Sequence, residues 1–211
     1  MHGFRRHRST QTALLSMYNK WITSASEDRL TGAILLDLSA AFDLVSHDML
    51  LKKLKIHGLD NGYMVWLKSY LEDRYQSVWI DHVFSSYLHC PIGVPQGSIL
   101  GPLLFIIYFN DFLSHIGCTA DSYADDTTLS VDGKSLGEIS QKLNVVCDKV
   151  VHWMNSNMLK LNPTKTHVMT IGTEQRLRNL HEKLEVSMDG ILLVEDNDHV
   201  ENYLDVKCNQ T

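Results

Sequence analysis

Ser122-Tyr123-Ala124-Asp125-Asp126-Thr127-Thr128-Leu129-Ser130-Val131 sets an adjacent pair of carboxylates between two β-favouring stretches. That pattern predicts a hairpin with its acids at the turn. Ninety residues upstream, Gly32-Ala33-Ile34-Leu35-Leu36-Asp37 is a continuous apolar run that ends in a carboxylate. Such a run suits a strand buried on both faces. Surface aspartates are common and usually only solvated, so the weight lies in the settings. All three acids occupy strand ends, where a packed sheet holds side chains rigidly.

Hard carboxylate oxygens suit Mg2+, which takes one or two protein carboxylates and completes its shell with water and substrate phosphate. Asp37, Asp125 and Asp126 together can serve a pair of such ions, the arrangement used for in-line phosphoryl transfer. Neighbouring strand residues face opposite sides, so Asp125 and Asp126 are unequal partners, and Asp125 is the firmer ligand.

Working outward, Asp48 to His57, closed by Gly58, reads as an amphipathic helix. Asp60 can cap a second helix carrying Val65, Trp66, Ser69, Tyr70 and Leu71. Gln76 to Val83 and Tyr87 to Ile92, separated by serines, predict a hairpin. Gly93-Val94-Pro95-Gln96-Gly97-Ser98-Ile99-Leu100-Gly101-Pro102 is a shaped loop that feeds the strongly apolar stretch Leu103 to Leu113. Ser135 caps a long helix in which Leu136, Ile139, Leu143, Val146, Val150, Trp153 and Met154 recur at steps of three and four. His167 to Ile171, Leu184 to Met188 and Ile191 to Val194 read as later strands, the last two joined by a turn at Met188-Asp189-Gly190.

With 211 residues, 44% of them hydrophobic and 21% charged, the chain can bury one sizeable core and is neither disordered nor collagenous. Cys90, Cys118, Cys147 and Cys208 form no closely spaced pair, which predicts neither a zinc site nor a disulfide framework. A reducing intracellular compartment, nucleus or cytoplasm, fits that usage. The longest apolar run, Leu103 to Phe109, is far short of the roughly 20 residues of a membrane span, and the basic N-terminus lacks the apolar stretch of a secretory signal. The net charge of −6 sits mostly at the back: nine acidic and four basic residues lie from Glu174 on, leaving 16 acidic and 15 basic residues in front. Within that nearly neutral front part, Arg5, Arg6 and Arg8 form a cluster that either meets phosphate or is a solvated arm.

Five segments, in order, resemble the reverse transcriptases of non-LTR retrotransposons, LINE-type and jockey-like. Gly3-Phe4-Arg5-Arg6-His7-Arg8-Ser9-Thr10 resembles their basic fingers motif. Ala33 to His47, containing Asp37-Leu38-Ser39-Ala40-Ala41-Phe42-Asp43, resembles the first catalytic motif. Gly93 to Pro102 resembles the loop that shapes the nucleotide and template pocket. Tyr123-Ala124-Asp125-Asp126 resembles the catalytic box, and Asn157 to Thr166 the palm motif that follows it. One such segment is weak; five in sequence order are specific, and they cover most of residues 1–172.

The resemblance implies an α+β polymerase palm, an antiparallel sheet with packed helices, and partial fingers over residues 1–173. Residues 174–211 would then be end-of-palm strands near the primer grip. It implies an RNA-directed DNA polymerase that uses two Mg2+ ions, with Mn2+ as a substitute, and takes RNA template, DNA primer and dNTP as partners. Asp37 and Asp125 would bridge the ions, the Leu38 carbonyl would add a ligand, and Asp126 would support the site. Phe42 lies where the family places its steric gate against a 2′-hydroxyl; the plain alternative is a core aromatic. Gln96 and Gly97 match residues near the incoming base. Lys165 matches a proton donor to departing pyrophosphate, or is a solvated lysine. Arg5, Arg6 and Arg8 would contact triphosphate or template. His47, His57 and His152 are expected to be structural or surface residues rather than metal ligands.

Tyr203-Leu204-Asp205-Val206 resembles the primer-grip strand with Asp205 in place of glycine, an unfavourable charge near primer phosphate. The expectation is a chain cut short in the fingers, without thumb or endonuclease, and with little polymerase activity in isolation. The alternatives are a non-enzymatic remnant that binds nucleic acid weakly and, within the enzyme class, a group II intron maturase or LTR-type polymerase. A viral RNA polymerase is argued against by Phe42.

Overall fold

The computed structural model describes residues 9–123 and 126–195. In chain order its elements are α1 (Thr10–Ser26), β1 (Leu30–Leu36), β2 (Leu38–Ser39), α2 (His47–Ile56), α3 (Asn61–Leu71), β3 (Tyr75–Gln76), β4 (Trp79–Ile80), β5 (Val83–Phe84), β6 (Leu88–His89), α4 (Leu100–Phe109), α5 (Phe112–Ile116), β7 (Thr119–Tyr123), β8 (Asp126–Gly133), α6 (Leu136–Ser156), β9 (Lys160–Leu161), β10 (His167–Ile171), α7 (Glu174–Arg178), β11 (Ser187–Met188) and β12 (Ile191–Leu192). It is a mixed helix-and-sheet fold.

The organising element is β1. It lies inside an antiparallel sheet of order β10-β1-β8-β7, and Leu30, Ala33, Ile34 and Leu36 are buried. A strand covered on both faces must be apolar throughout, which is why its sequence shows a run rather than an alternation. On one face lies α6, capped by Ser135 through the Glu138 N–H. Every apolar position that the spacing singles out on this helix is buried, together with Cys147. Each such side chain contributes roughly 1.5–3 kcal/mol relative to exposure. Leu184, Val186, Met188 and Leu193 join the same core, although only Ser187–Met188 of the expected Leu184–Met188 strand is regular.

A second half of the core is aromatic. Phe105, Phe109 and Phe112 of α4 and α5 are fully buried and stack in series, with Trp153 of α6 closing edge-on against Phe109 and Phe112 at 5.4 and 5.0 Å. Behind them, the Lys53 ammonium reaches the Tyr108 carbonyl at 2.6 Å and Asp111 at 2.7 Å, and lies 4.8 Å from the Tyr108 and Trp153 ring centres. Burial lowers the Lys53 pKa against the raising influence of Asp111, and burial raises that of Tyr108.

Two expectations are corrected, and one element is added. The 75–89 hairpin turns at Asp81-His82, not at the serines: β4 pairs with β5 and β3 with β6. Asp81 and His82 both adopt positive φ, 47° and 67°, the left-handed pair that a two-residue hairpin turn needs. On α3 the packing face is Leu67 and Leu71, while Val65 and Trp66 are exposed. Finally, α1 was not expected. Its Ser9 cap and Thr12 form a reciprocal capping box, and Lys20 ties it to the sheet through Asp121 at 2.8 Å.

Cys90, Cys118 and Cys147 are free thiols. Burial, followed by Asp148 and Cys118, pushes Cys147 up to about 12, and burial pushes Cys118 up to about 11. The unfolded thiols ionise near 9.0, while the folded ones keep their protons. Their contribution is therefore complete below about pH 9 and is lost as pH rises toward the folded values. Urea midpoints are expected to fall between about pH 9 and 11. Cys147→Ala should flatten that slope, and an unchanged slope would rule the thiol out; comparing variants cancels Lys53, which acts in the opposite sense.

Candidate active site

One end of the sheet collects the acids. In β1–β8 the register pairs Leu30 with Gly133 through to Leu36 with Thr127. One further step of the same register sets Asp37 opposite Asp126. In β7–β8, Tyr123 pairs with Asp126, so the connection is two residues long, Ala124 and Asp125, which lie outside the described residues. So do Arg5, Arg6, Arg8 and the Tyr203–Val206 segment.

Asp37 is held by its backbone. Its N–H donates to Thr166 Oγ1 at 3.4 Å, and its carbonyl accepts from the Asn162 N–H at 3.0 Å. The half-buried carboxylate itself makes no hydrogen bond or ion pair among the described residues. The Asn162 bond also fixes the orientation of Leu38. Because Asn162 N–H bonds Asp37 rather than Leu38, Leu38 and Leu161 form a non-hydrogen-bonded antiparallel pair, whose own carbonyls point away from each other's strand. The Leu38 carbonyl is thus turned away from β9. Lys165 is exposed in the turn between β9 and β10, the turn that grips Asp37.

Leu38, the residue after Asp37, also lines a pocket of about 380 Å3, together with Ala40, Ala41, Phe42, Pro95, Gln96, Gly97 and Pro102. Its floor begins at Ala40, whose φ of 48° starts a turn closed by Asp43 and Leu44 N–H bonds to the Ala40 carbonyl. The turn lays Phe42 on Phe105, ring centres 4.5 Å apart, so Phe42 is the outermost ring of the buried aromatic series. Its other wall is laced to this turn: Gly93 N–H donates to Val45 O at 2.8 Å, and Val94 N–H to Phe42 O at 2.9 Å. Arg74 and His47 Nε2 both meet the Gly93 carbonyl, at 2.7 and 2.8 Å. A carbonyl only accepts, so His47 Nε2 carries a proton. His47 is structural, as expected of it. Ser98 accepts from Gly101 N–H at 2.9 Å and so caps the entry to α4.

Gln96 and Gly97 stand at the rim. The φ of Gly97 is 75°, and a side chain there would meet nothing within 4 Å. Backbone conformation, not crowding, calls for glycine. Gln96 Nε2 donates to both Asp43 carboxylate oxygens, at 2.8 and 3.0 Å. Sequence reasoning assigned no role to Asp43, Arg74 or Thr166, because each acts on a partner 19 or more residues away and no local pattern marks such pairs.

Asp37, Asp126 and the Leu38 carbonyl would offer oxygen donors only, the kind that a hard divalent cation takes. Among the described residues no three His, Cys, Asp or Glu side chains converge on a metal position. No helix among them is long and apolar enough to cross a membrane.

Residues 1–201 match the reverse transcriptase (RNA-dependent DNA polymerase) family. The chain belongs to the reverse transcriptase family. Among relatives of this reverse transcriptase chain, the probable RNA-directed DNA polymerase from transposon BS of Drosophila melanogaster is 31% identical over 172 residues, 78% of this chain and 19% of that protein. The RNA-directed DNA polymerase from mobile element jockey of the same species is 31% identical over 171 residues, 77% of this chain and 19% of that protein. The R2DM retrotransposable-element Pol polyprotein, also from Drosophila melanogaster, is 29% identical over 147 residues, 64% of this chain and 13% of that protein. The reverse transcriptase chain therefore spans about a fifth of the length of the BS and jockey proteins.

Proposed function

We propose that this chain is the palm, with part of the fingers, of an RNA-directed DNA polymerase, and that its site performs template-directed deoxynucleotidyl transfer. The observation that carries the reading is the half-buried Asp37 carboxylate, without a partner among the described residues, set by register opposite Asp126 and followed directly by Leu38, which lines the pocket walled by Phe42 and Gln96. Residues 1–173 are read as fingers remnant and palm, and 174–211 as the end of the palm, acting inside the cell on an RNA template, a DNA primer and dNTP.

Asp37, Asp125 and Asp126, with the Leu38 carbonyl, would hold two divalent cations, Mg2+ or Mn2+. Bound there, such ions acidify the attacking 3′-hydroxyl and neutralise charge on the leaving pyrophosphate. The chain's own part is placement. Asp37 is fixed by backbone bonds, and its carboxylate has no partner among the described residues that would compete with a cation. Phe42, backed by Phe105, is a rigid wall against a 2′-hydroxyl. Gly97 lets the backbone come close to the nucleotide. Lys165, and Arg5, Arg6 and Arg8, supply positive charge for pyrophosphate, triphosphate or template.

The test is binding of a fluorescent dNTP in Mg2+, expected for the unmutated chain and lost in Asp125→Asn; equal binding by both would refute the site. On a primed RNA template the 211-residue chain is expected to extend little, since it spans a fifth of its relatives' length. Extension by the unmutated chain alone would overturn that expectation while supporting the chemistry. Phe42→Val is expected to narrow the preference for dNTP over rNTP by roughly tenfold, the scale of removing part of an apolar wall. Unchanged exclusion of rNTP would remove the gate assignment.

A further inference from the structure

Gln96 lines the pocket, yet nothing in its own loop holds its side chain. Its amide is held from the opposite wall, by the Asp43 carboxylate, with Nε2 at 2.8 and 3.0 Å from the two oxygens. A side-chain amide usually has two nearly indistinguishable orientations. Here one is excluded: a carboxylate only accepts hydrogen bonds, so the nitrogen must face Asp43. The amide carbonyl is then the end left over, and it has no partner among the described residues. The pocket rim thereby presents a hydrogen-bond acceptor.

The base of the pair is rigid. Asp43 N–H is tied to the Ala40 carbonyl, Val94 N–H to the Phe42 carbonyl, and Gly93 N–H to the Val45 carbonyl. The two backbones from which Asp43 and Gln96 project are thus fixed to each other within three residues on either side. Both side chains are exposed, so neither is needed to fill the core. A charge-assisted bond at this position is explained by aiming the amide, and not by holding the fold.

We propose that Asp43 is a positioning residue of the pocket: it clamps the Gln96 amide by its nitrogen and fixes the Gln96 carbonyl as the acceptor offered to the incoming nucleotide. This rests on the nucleotide reading of the pocket. Asp43 itself touches no reacting group. Its effect passes through Gln96, so removing it matters only while Gln96 is present.

The test uses the 211-residue chain with 15N-labelled glutamine, the Gln96 amide signal being the one lost in Gln96→Leu. Asp43→Leu is expected to move that signal to the position of a free, solvated amide. Asp43→Asn, which keeps an accepting oxygen, should retain most of the shift. With dATP and Mg2+, Asp43→Leu should weaken binding by roughly tenfold, the scale of a lost hydrogen bond to a charged group, and Asp43→Asn by clearly less. Adding Asp43→Leu to Gln96→Leu should change nothing more. An unmoved amide signal in Asp43→Leu overturns the clamp. Equal weakening with and without Gln96 overturns the positioning role. If the unmutated chain binds no dATP while its amide signal is shifted, the nucleotide reading fails and the pair is only a structural clasp.

Discussion

Gly93→Ala is expected to destabilise the chain by about 3 kcal/mol, more than most single substitutions, and to disable the pocket with it. Two costs add. The φ of Gly93 is 86°, and a left-handed backbone costs a residue with a Cβ about 1–2 kcal/mol. The new methyl would also stand 2.7, 2.9 and 3.0 Å from the carbonyl oxygen, Cα and carbonyl carbon of Asp43. Those atoms are backbone and cannot rotate away. Relief requires parting residues 42–45 from 93–94, which breaks the Val45 and Phe42 hydrogen bonds and moves Gln96 off Asp43. Gly97→Ala is the control: its φ is 75°, but nothing lies within 4 Å of the added carbon, so only the conformational cost of about 1–2 kcal/mol applies. Urea unfolding of both variants checks the argument; equal losses would show that crowding at Asp43 is not the cause.

The elements that were legible in the sequence are those whose local pattern and tertiary role agree. In α6 the three-and-four spacing coincides with burial at every step. In β1 the unbroken apolar run coincides with cover on both faces. The β7–β8 connection was marked by its adjacent acids, of which Asp126 opens β8 while Asp125 lies outside the described residues. Helix α1 was hidden because its pattern points outward: Leu15, Tyr18 and Ile22 are exposed, while the buried positions are Ala13, Met17 and Ser24. Nothing in that composition separates the inner face from the outer one.

The 75–89 ribbon failed for a related reason. Asp81 and His82 take the left-handed turn, whereas Ser85-Ser86 looks more like a loop by composition. Tyr75, Val78, Trp79, Ile80, Val83, Phe84, Tyr87 and Leu88 are all exposed, so alternation had no buried face to report. The candidate site divides in the same way. Asp37 and Asp126 were visible as acids at strand ends, and their alignment needed only the register. The Asp43–Gln96 pair spans 53 residues, and the wall that His47 and Arg74 hold is built from three separate segments. Such contacts arise when the chain folds back on itself, and no spacing rule encodes them.

Asp37→Asn is expected to leave stability within about 0.5 kcal/mol, as for a substitution that removes no side-chain hydrogen bond or ion pair among the described residues, while lowering nucleotidyl transfer by roughly a thousandfold or more, about 4 kcal/mol at 1.36 kcal/mol per decade. The separation follows from how Asp37 is held. Its N–H bonds Thr166 and its carbonyl bonds Asn162, and asparagine keeps both. Its carboxylate contacts no donor among the described residues, so the isosteric amide breaks nothing in the fold. What changes is charge: a carboxylate becomes a neutral amide with a single oxygen, and a Mg2+ site of the kind proposed would depend on ligand charge. Two measurements read the two halves. Urea unfolding of the 211-residue chain should be unchanged, while its Mn2+ affinity falls. Transfer should fall when the same substitution is made in a frame as long as the jockey relative. A large loss of stability would mean that Asp37 is a structural acid, and unaltered Mn2+ binding would remove it from the metal set. Unchanged stability together with weakened Mn2+ binding would make Asp37 what its setting suggests, a carboxylate anchored through its backbone and available to bind a cation.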